Sequence, residues 1–589
     1  MLRAFGPVQE AVDVYRPTSR ELARTAPPVA SLLKAGLLPA TGIPLGGTLA
    51  SLPLSVLQWP EPSLREAAGH QAQLKLAADS PVAELARKEL ELAQTADARV
   101  TAGDMYRAVE RAEAAEQLEP VPQSNLYGFT RLTDARFPMT AEVFARMVDR
   151  VAERHGVDEV GRALGGARSE HPLVNAVARI AAQLKNGDGA SLQLNIDQEQ
   201  EAFLLGCLDA DTLALAMGGA GGFCANMGAA QPNVESTFVA PDGLPLSMGE
   251  RMSPQVRVAD DEGRLRAPNQ VLSRALLDRT NYIAEYRAAE SVRLLAGTPY
   301  EETFPISGSS RVILSTPGGN EINFGDASAD TLAGLIRDKA LFFCAGSHYL
   351  TRNPDEAAVL RDQLAVMKAV NRACTFHLQY VVPKNPDHEL TVLDMLGPQF
   401  DSLSLNAVEV SPLLERFRAA GRTDWAGSAQ VEREVMEHPE QLLENALALK
   451  SALGLPRLHV HGHHGDLLIA RTPRDRERQV LALLKARQMA SMKAANLSGE
   501  IKEKGDMWPI LPLVEGVSLA MVQKFADAIA RRFDLTPEQR DRVARDWYYD
   551  DGQGNTIFFV PSRGIHDRTG GTVSLGDTID STALIYGRE

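Results

Sequence analysis

From residue 126 onward, short apolar runs recur along this chain with helix-favouring text between them, and this alternation constrains the fold more than any other feature. Runs such as TLALAM, STFVA, NYIAEY, SRVILST, ALFFCAG, CTFHLQYVV, RLHVHGHH, DLLIA and TIFFVP have the length and the β-branched or aromatic content of strands. Segments such as AAVLRDQLAVMKAVNR and ERQVLALLKARQMASMKAA, rich in Ala, Leu, Lys and Arg, favour helix. Strands joined through helices pair in parallel, so the pattern predicts an α/β domain with a mostly parallel central sheet flanked by helices.

A different texture precedes that domain. Ala, Glu, Leu, Lys and Arg dominate from Ser63 to Gln117, which predicts a helical extension over residues 1–119. No constellation of reactive side chains stands there; its expected role is packing against the main domain or a second subunit, which would make the protein a homo-oligomer. Pro120 and Pro122 close the helical text, and the main domain is expected over 120–589, beginning with a strand at Leu126–Phe129.

Charge and composition exclude several functions. A formal charge of −15 and a pI near 5.4 oppose a general nucleic-acid or membrane-surface partner, because those partners are anionic. A small anionic ligand needs only a local positive site and is still allowed. The apolar stretch Ala30–Leu57 is broken by Pro39, Pro44, Gly46, Gly47 and Pro53, so no membrane span is expected. The chain's start shows no charged leader followed by an apolar run, and Cys207, Cys224, Cys344 and Cys374 form no CxxC pair. A cytoplasmic protein with buried thiols is the expectation.

Three segments carry the chemistry. MGGAGGFCANMGAA (Met217–Ala230) places glycines at a strand-to-helix turn, where backbone N–H groups and a ligand can approach closely. It is not a phosphate loop of the Gly-Lys-Ser/Thr kind, and tight helix packing explains it equally well. GGTVSLGDTIDS (Gly570–Ser581) ends a small-residue turn in Gly-Asp at a helix start, offering amide donors for phosphoryl charge and a carboxylate for a hydroxyl proton. An ordinary Asp helix cap is the plainer alternative. FDSLSLNAVEV (Phe400–Val410) contains Asn406 and Glu409, a pair suited to magnesium-bound water or simply to capping a helix.

Taken in order, GG-x-x-G…AN, N-Y-I-A-E-Y, S-R-V-I-L-S, CAGSHYL, F-H-L-Q, D-S-L-S-L-N-x-x-E, H-V-H and S-L-G-D resemble the motif series of the ADP-dependent glucokinase/phosphofructokinase family, from about Asn125 to the C-terminus. The resemblance implies a ribokinase-like core, a small β-rich lid drawn from about 121–315, ADP as phosphoryl donor, Mg2+, and a hexose or hexose phosphate as acceptor. It makes Asp577 the base, with Gly576, Leu575 and Arg311 stabilising phosphoryl charge. It places Asp134, Gln193, Gly218, Gly219 and Ala220 at the acceptor, Asn406, His461 and Thr578 at the nucleotide, and Glu409 and Gln379 at the metal.

The chain departs from the family pattern at five of these places. Thr130 replaces an Asn, Gln193 replaces the Glu of Gly-Ala-x-x-Glu, and Ala220 replaces an amide in GG-(Asn/Gln)-A-G. Gln379 replaces the Glu of H-x-E, and Ser574 replaces the first Gly of G-x-G-D. Losing a partner for a buried hydroxyl changes specificity by about 1–3 kcal/mol, so an acceptor other than plain glucose is expected. A cluster of Arg or Lys in the pocket would mark a phosphorylated acceptor. Two alternatives stay open: a same-fold kinase for another alcohol, such as a nucleoside, and a ligand-binding pseudokinase with a regulatory role. His459, His461 and His463 fall on one strand face, as a metal site requires, but the family's R-x-x-V-H strand on the nucleotide side is the preferred reading.

Overall fold

The computed structural model describes residues 111, 114, 115, 117–186, 192–208, 212–273, 279–286, 291–307, 310–316, 322–383, 388–424, 438–462, 465–495, 514–517, 519–565 and 574–588. Their strands, in chain order, are β1 Gln123–Gly128, β2 Leu132–Pro138, β3 Leu192–Asn195, β4 Ala214–Gly218, β5 Val234–Val239, β6 Arg257–Ala259, β7 Leu265–Arg266, β8 Thr280–Tyr286, β9 Ser291–Leu294 and β10 Glu302–Pro305. They continue with β11 Ser310–Ser315, β12 Lys339–Cys344, β13 Thr375–Gln379, β14 Ser402–Asn406, β15 Arg457–His461, β16 Gly465–Arg471, β17 Val514–Val517, β18 Tyr548–Asp550, β19 Asn555–Pro561 and β20 Arg563–Ile565.

Eleven of these strands form one sheet in the order β18-β19-β16-β15-β14-β13-β12-β1-β5-β6-β7. Every pairing from β15 to β6 is parallel, and antiparallel strands close both edges. A parallel sheet covered by helices on both faces buries both sides of each strand, which is why β12 reads KALFFC with all six residues buried. Its neighbouring phenylalanines serve different clusters. Phe342 meets Phe129, Phe324 and Phe376 on one side, and Phe343 meets Tyr127 and His377 on the other. Each fully buried ring stabilises the domain by about 1.5–3 kcal/mol. The α/β architecture expected from the alternation is the one observed.

A second sheet, ordered β3-β11-β8-β2-β4, is built from segments between Leu132 and Ser315. Strand alternation splits its faces. Ala135, Phe137, Tyr282, Ala284, Tyr286, Val312 and Leu314 pack in one core with residues of helices Ala141–His155 and Pro172–Asn186, such as Phe144, Val148, Ile180 and Leu184. The alternate positions Asp134, Arg136, Asn281, Glu285 and Arg311 therefore fall on the opposite face, with Asp134 paired to Asn281 and Glu285 to Arg311 in the ladder. The chain passes from the large sheet into the small one between Gly128 and Leu132 and returns at Gly218–Ala220, then enters it again at β8 and leaves after β11 for β12.

Most of the N-terminal extension lies outside the described residues, as do Gly189–Ser191, His463, His464 and Gly570–Val573. The described end of the extension docks on the main domain. The Arg111 guanidinium stands 4.8 Å over the Trp547 ring, and Ala115 is buried in the large core. Among the described residues, no helix is long and apolar enough to cross a membrane.

Candidate active site

The C-terminal helix, Leu575–Tyr586, begins behind Ser574, whose φ of 59° is left-handed. That conformation is the one glycine adopts most readily, so the serine sits under mild strain where the family pattern has Gly. The first intrahelical bond runs from the Thr578 N–H to the Ser574 carbonyl at 3.0 Å, and the Thr578 hydroxyl donates to the same oxygen at 2.8 Å. Both donors of Thr578, expected at the nucleotide, are thus engaged within the helix. The N–H groups of Leu575, Gly576 and Asp577, one turn earlier, have no intrahelical acceptor and stand at the positive end of the helix dipole.

Asp577 is the third residue of this helix. Burial raises its pKa, and Gln379, at the end of β13, opposes that shift by donating through Nε2 to Asp577 Oδ1. The other amide atom, Gln379 Oε1, is buried with no hydrogen-bond partner. Cys224, in the helix Ala220–Ala229, places Sγ 3.5 Å from the Asp577 carbonyl oxygen, tying the glycine-rich turn to the start of the C-terminal helix.

One turn further, Asp580 anchors the helix from below. Its carboxylate lies 2.9 Å from His459 Nδ1 and 3.4 Å from His461 Nε2, and both imidazoles come from β15. His459 Nε2 stands 3.6 Å from Asp466 on β16, and Asp466 is paired with Arg487 at 2.5 Å. Burial alone would raise Asp580, but His461 and His459 outweigh it and hold the carboxyl well below its usual range. Burial likewise pulls His461 down, yet Asp580 wins and leaves the imidazole raised. The histidines are held by carboxylates, and among the described residues no group of three or more His, Cys, Asp or Glu is arranged for a metal ion. Gly576 is required by the same packing: a Cβ there would sit 2.5 Å from His461 Cε1.

Asn406 and Glu409 form a helix capping box. Asn406 Oδ1 accepts from the Val408 N–H at 3.2 Å, while Glu409 accepts from the N–H groups of Asn406 at 2.8 Å and Val382 at 3.2 Å. The plainer reading of the pair is therefore realised. It also fixes Glu409 at the C-terminal edge of the sheet, near His461, and burial raises its pKa.

On the smaller sheet, Asp134 is buried and accepts from Asn281 Nδ2 at 3.2 Å. Burial pushes its pKa up to about 7, against the pull of Asn281 and of two cations, Arg136 and Lys493. A Cβ at Gly218 would lie 2.5 Å from Asp134 Oδ1, and Gly219 follows with φ of 70°, so this double glycine is dictated by the carboxylate and by the turn. Ala220 opens the helix behind it, Gln193 takes its place on β3 opposite Ile313, and Arg311 lies on β11 opposite Glu285.

Asp134, on a strand of the smaller sheet, and Asp577, on the C-terminal helix, lie within electrostatic reach of each other. Lys493, 3% exposed, interacts with both carboxylates; the sequence does not point to it, nor to Arg136 or Asp580. Two spacings were available to find the others: Arg136 is two residues from Asp134 on a strand, and Asp580 is one helical turn from Asp577. Lys493 carries no such mark, since it belongs to a helix whose lysines and arginines read as a solvated face.

Comparison with known proteins completes the picture. A family profile described as the ADP-specific Phosphofructokinase/Glucokinase conserved region matches residues 173–586. No curated protein matches the sequence significantly. An ADP-dependent kinase solved in complex with fructose-6-phosphate and ADPβS is 18% identical, with a TM-score of 0.63 over 82% of this chain and 97% of that one. The last common ancestor of ADP-dependent phosphofructokinases from Methanosarcinales is also 18% identical, with a TM-score of 0.56 over 82% and 96%. A phosphofructokinase from Pyrococcus horikoshii with AMP is 17% identical, with a TM-score of 0.55 over 80% and 99%. At that identity the solved structures speak for the fold; the profile, spanning most of the chain, decides the family. The chain belongs to the ADP-specific phosphofructokinase/glucokinase family, kinases that transfer a phosphoryl group from ADP to a sugar hydroxyl.

Proposed function

We propose that this protein transfers the terminal phosphoryl group of ADP to a hydroxyl of a hexose phosphate of the fructose 6-phosphate type, with Asp577 as base. The observation that carries the acceptor class is the pair of buried cations, Arg136 and Lys493, beside the acceptor carboxylate Asp134. A phosphate offers charge-assisted hydrogen bonds to both side chains, which a neutral hexose does not.

The acceptor would lie between the polar face of the smaller sheet and the start of the C-terminal helix, with Asp134 holding its hydroxyls. Asp577 takes the proton of the attacking hydroxyl as oxygen closes on phosphorus. The amides of Leu575, Gly576 and Asp577 stabilise equatorial charge, and Arg311 adds a planar multi-donor cation from the smaller sheet. Burial of Asp134 helps to keep bulk water from competing as acceptor. His461, seated on Asp580 and against Gly576, fixes the start of the helix on the nucleotide side, where Asn406 caps its neighbour.

The residues present fit a magnesium ion held mostly through its own water. Glu409 supplies a partly buried carboxylate, and Gln379 Oε1 is a buried acceptor without a partner. When bound there, magnesium would neutralise phosphate charge and orient the donor. Replacement of the family's Glu by Gln379 removes one negative charge, so weaker magnesium affinity than in a carboxylate-bearing site is expected.

Steady-state kinetics with ADP and magnesium test the acceptor class. Fructose 6-phosphate should exceed glucose in kcat/KM by at least about a hundredfold, the loss expected when two charge-assisted bonds go unmade. A preference for glucose or a nucleoside would overturn the reading. In the same assay Gly576→Ala should lower kcat by about tenfold or more with little change in KM for the acceptor. The added methyl meets the His461 ring and must shift either the ring or the amides that face the phosphoryl group.

A further inference from the structure

Gln379 ends β13, a central strand of the large sheet, and its backbone is anchored on both sides. It pairs with Ser404 on β14, and the N–H of the next residue, Tyr380, donates to the Ser404 carbonyl at 2.8 Å. Two residues earlier, the His377 ring is hydrogen-bonded to Ser402 Oγ at 2.8 Å and to Ser404 Oγ at 3.0 Å. On the other side the Tyr380 hydroxyl donates to Glu389, which also accepts from Arg416. Between these anchors the Gln379 side chain, 6% exposed, reaches Asp577. Asp577 stands on an equally fixed element, since Asp580, one turn on, lies 2.9 Å from His459.

We propose that Gln379 is the positioning residue of the base, and that it holds Asp577 in place independently of a bound cation. This rests on the reading of Asp577 as base and deepens it. The Gln379 amide donates through Nε2 to Asp577 Oδ1, and its Oε1 is buried with no hydrogen-bond partner. Turning the amide over would set two oxygens against each other, so the carboxylate decides which end of Gln379 faces it. An ionised glutamate of the same length has no proton to donate, and two adjoining carboxylates need a cation or a shared proton between them. Glutamine needs neither. The base is therefore oriented before magnesium or substrate arrives, and a carboxylate held by one hydrogen bond keeps further lone pairs for the hydroxyl proton.

Two variants of the full chain test this. Gln379→Met keeps the bulk and removes the donor. With ADP, magnesium and fructose 6-phosphate its kcat should fall about ten- to a hundredfold, while KM for both substrates stays within about twofold. Gln379→Glu keeps the shape and replaces the donor by a second carboxylate. In EDTA it should melt below the wild type. Magnesium, bound at least about tenfold more tightly than by the wild type in calorimetry, should return the difference. Melting and calorimetry need neither substrate, so they stand if the acceptor class fails, and they decide alone if Gln379→Met does not fold. Wild-type kcat in Gln379→Met, or wild-type melting of Gln379→Glu in EDTA, would overturn the positioning role and leave Asp577 as base. Full turnover by Asp577→Asn would overturn the base, and this inference with it.

Discussion

Asp577→Asn should lower kcat on the order of a thousandfold, with ADP and sugar phosphate still bound at near wild-type affinity. The substitution keeps the size of the side chain and keeps an oxygen to accept from Gln379 Nε2, so the start of the helix is not disturbed. What disappears is the acceptor for the hydroxyl proton. Single-turnover kinetics separate this from a binding defect. A variant retaining more than about a tenth of wild-type turnover would remove Asp577 from the chemistry.

Asp580→Ala should destabilise the protein by about 3–5 kcal/mol, because it strips the anion from buried His459 and partly buried His461 and leaves His459 facing only Asp466. Urea denaturation measures it. The pH dependence has a definite sign. Asp580, held well below the usual carboxylate range, contributes stability that is complete above the unfolded value of about 3.9 and is lost as pH falls through its low folded value. His461, raised in the folded state, contributes stability that is complete below its unfolded value of about 6.5 and is lost as pH rises through the folded value. Wild type should therefore lose stability on the alkaline side, and Asp580→Ala should lose that slope together with the stability. An unchanged alkaline slope in the variant would mean that the His461–Asp580 pair does not carry it.

How much of this was legible in the sequence depended on how local each feature is. The parallel sheet was legible because burial on both faces writes itself into runs such as ALFFC and CTFHLQ. The helix start at Asp577 was legible because small residues and a carboxylate are neighbours in the chain there. N-x-x-E was legible as a pair, and its capping geometry was the plainer of the two readings offered. The features that escaped notice are made by distance. Lys493 stands 84 positions before Asp577 and more than 350 after Asp134, and only the packing of the helix Arg476–Ala495 brings it to both. Asp466 and Arg487 escaped for the same reason, since a buried pair between a strand and a helix has no spacing rule. The engagement of Thr578 was not legible either, since only the helix shows that its N–H and hydroxyl both go to the Ser574 carbonyl.

The central claim is that the chain moves the terminal phosphoryl group of ADP onto a sugar phosphate, and direct product analysis tests it most plainly. Purified protein with magnesium and fructose 6-phosphate should convert ADP to AMP and form a sugar bisphosphate in equal amounts by mass spectrometry, with no product when Asp577→Asn replaces the wild type. Transfer from ATP but not from ADP, or binding of both ligands with no AMP and no bisphosphate formed, would contradict the account.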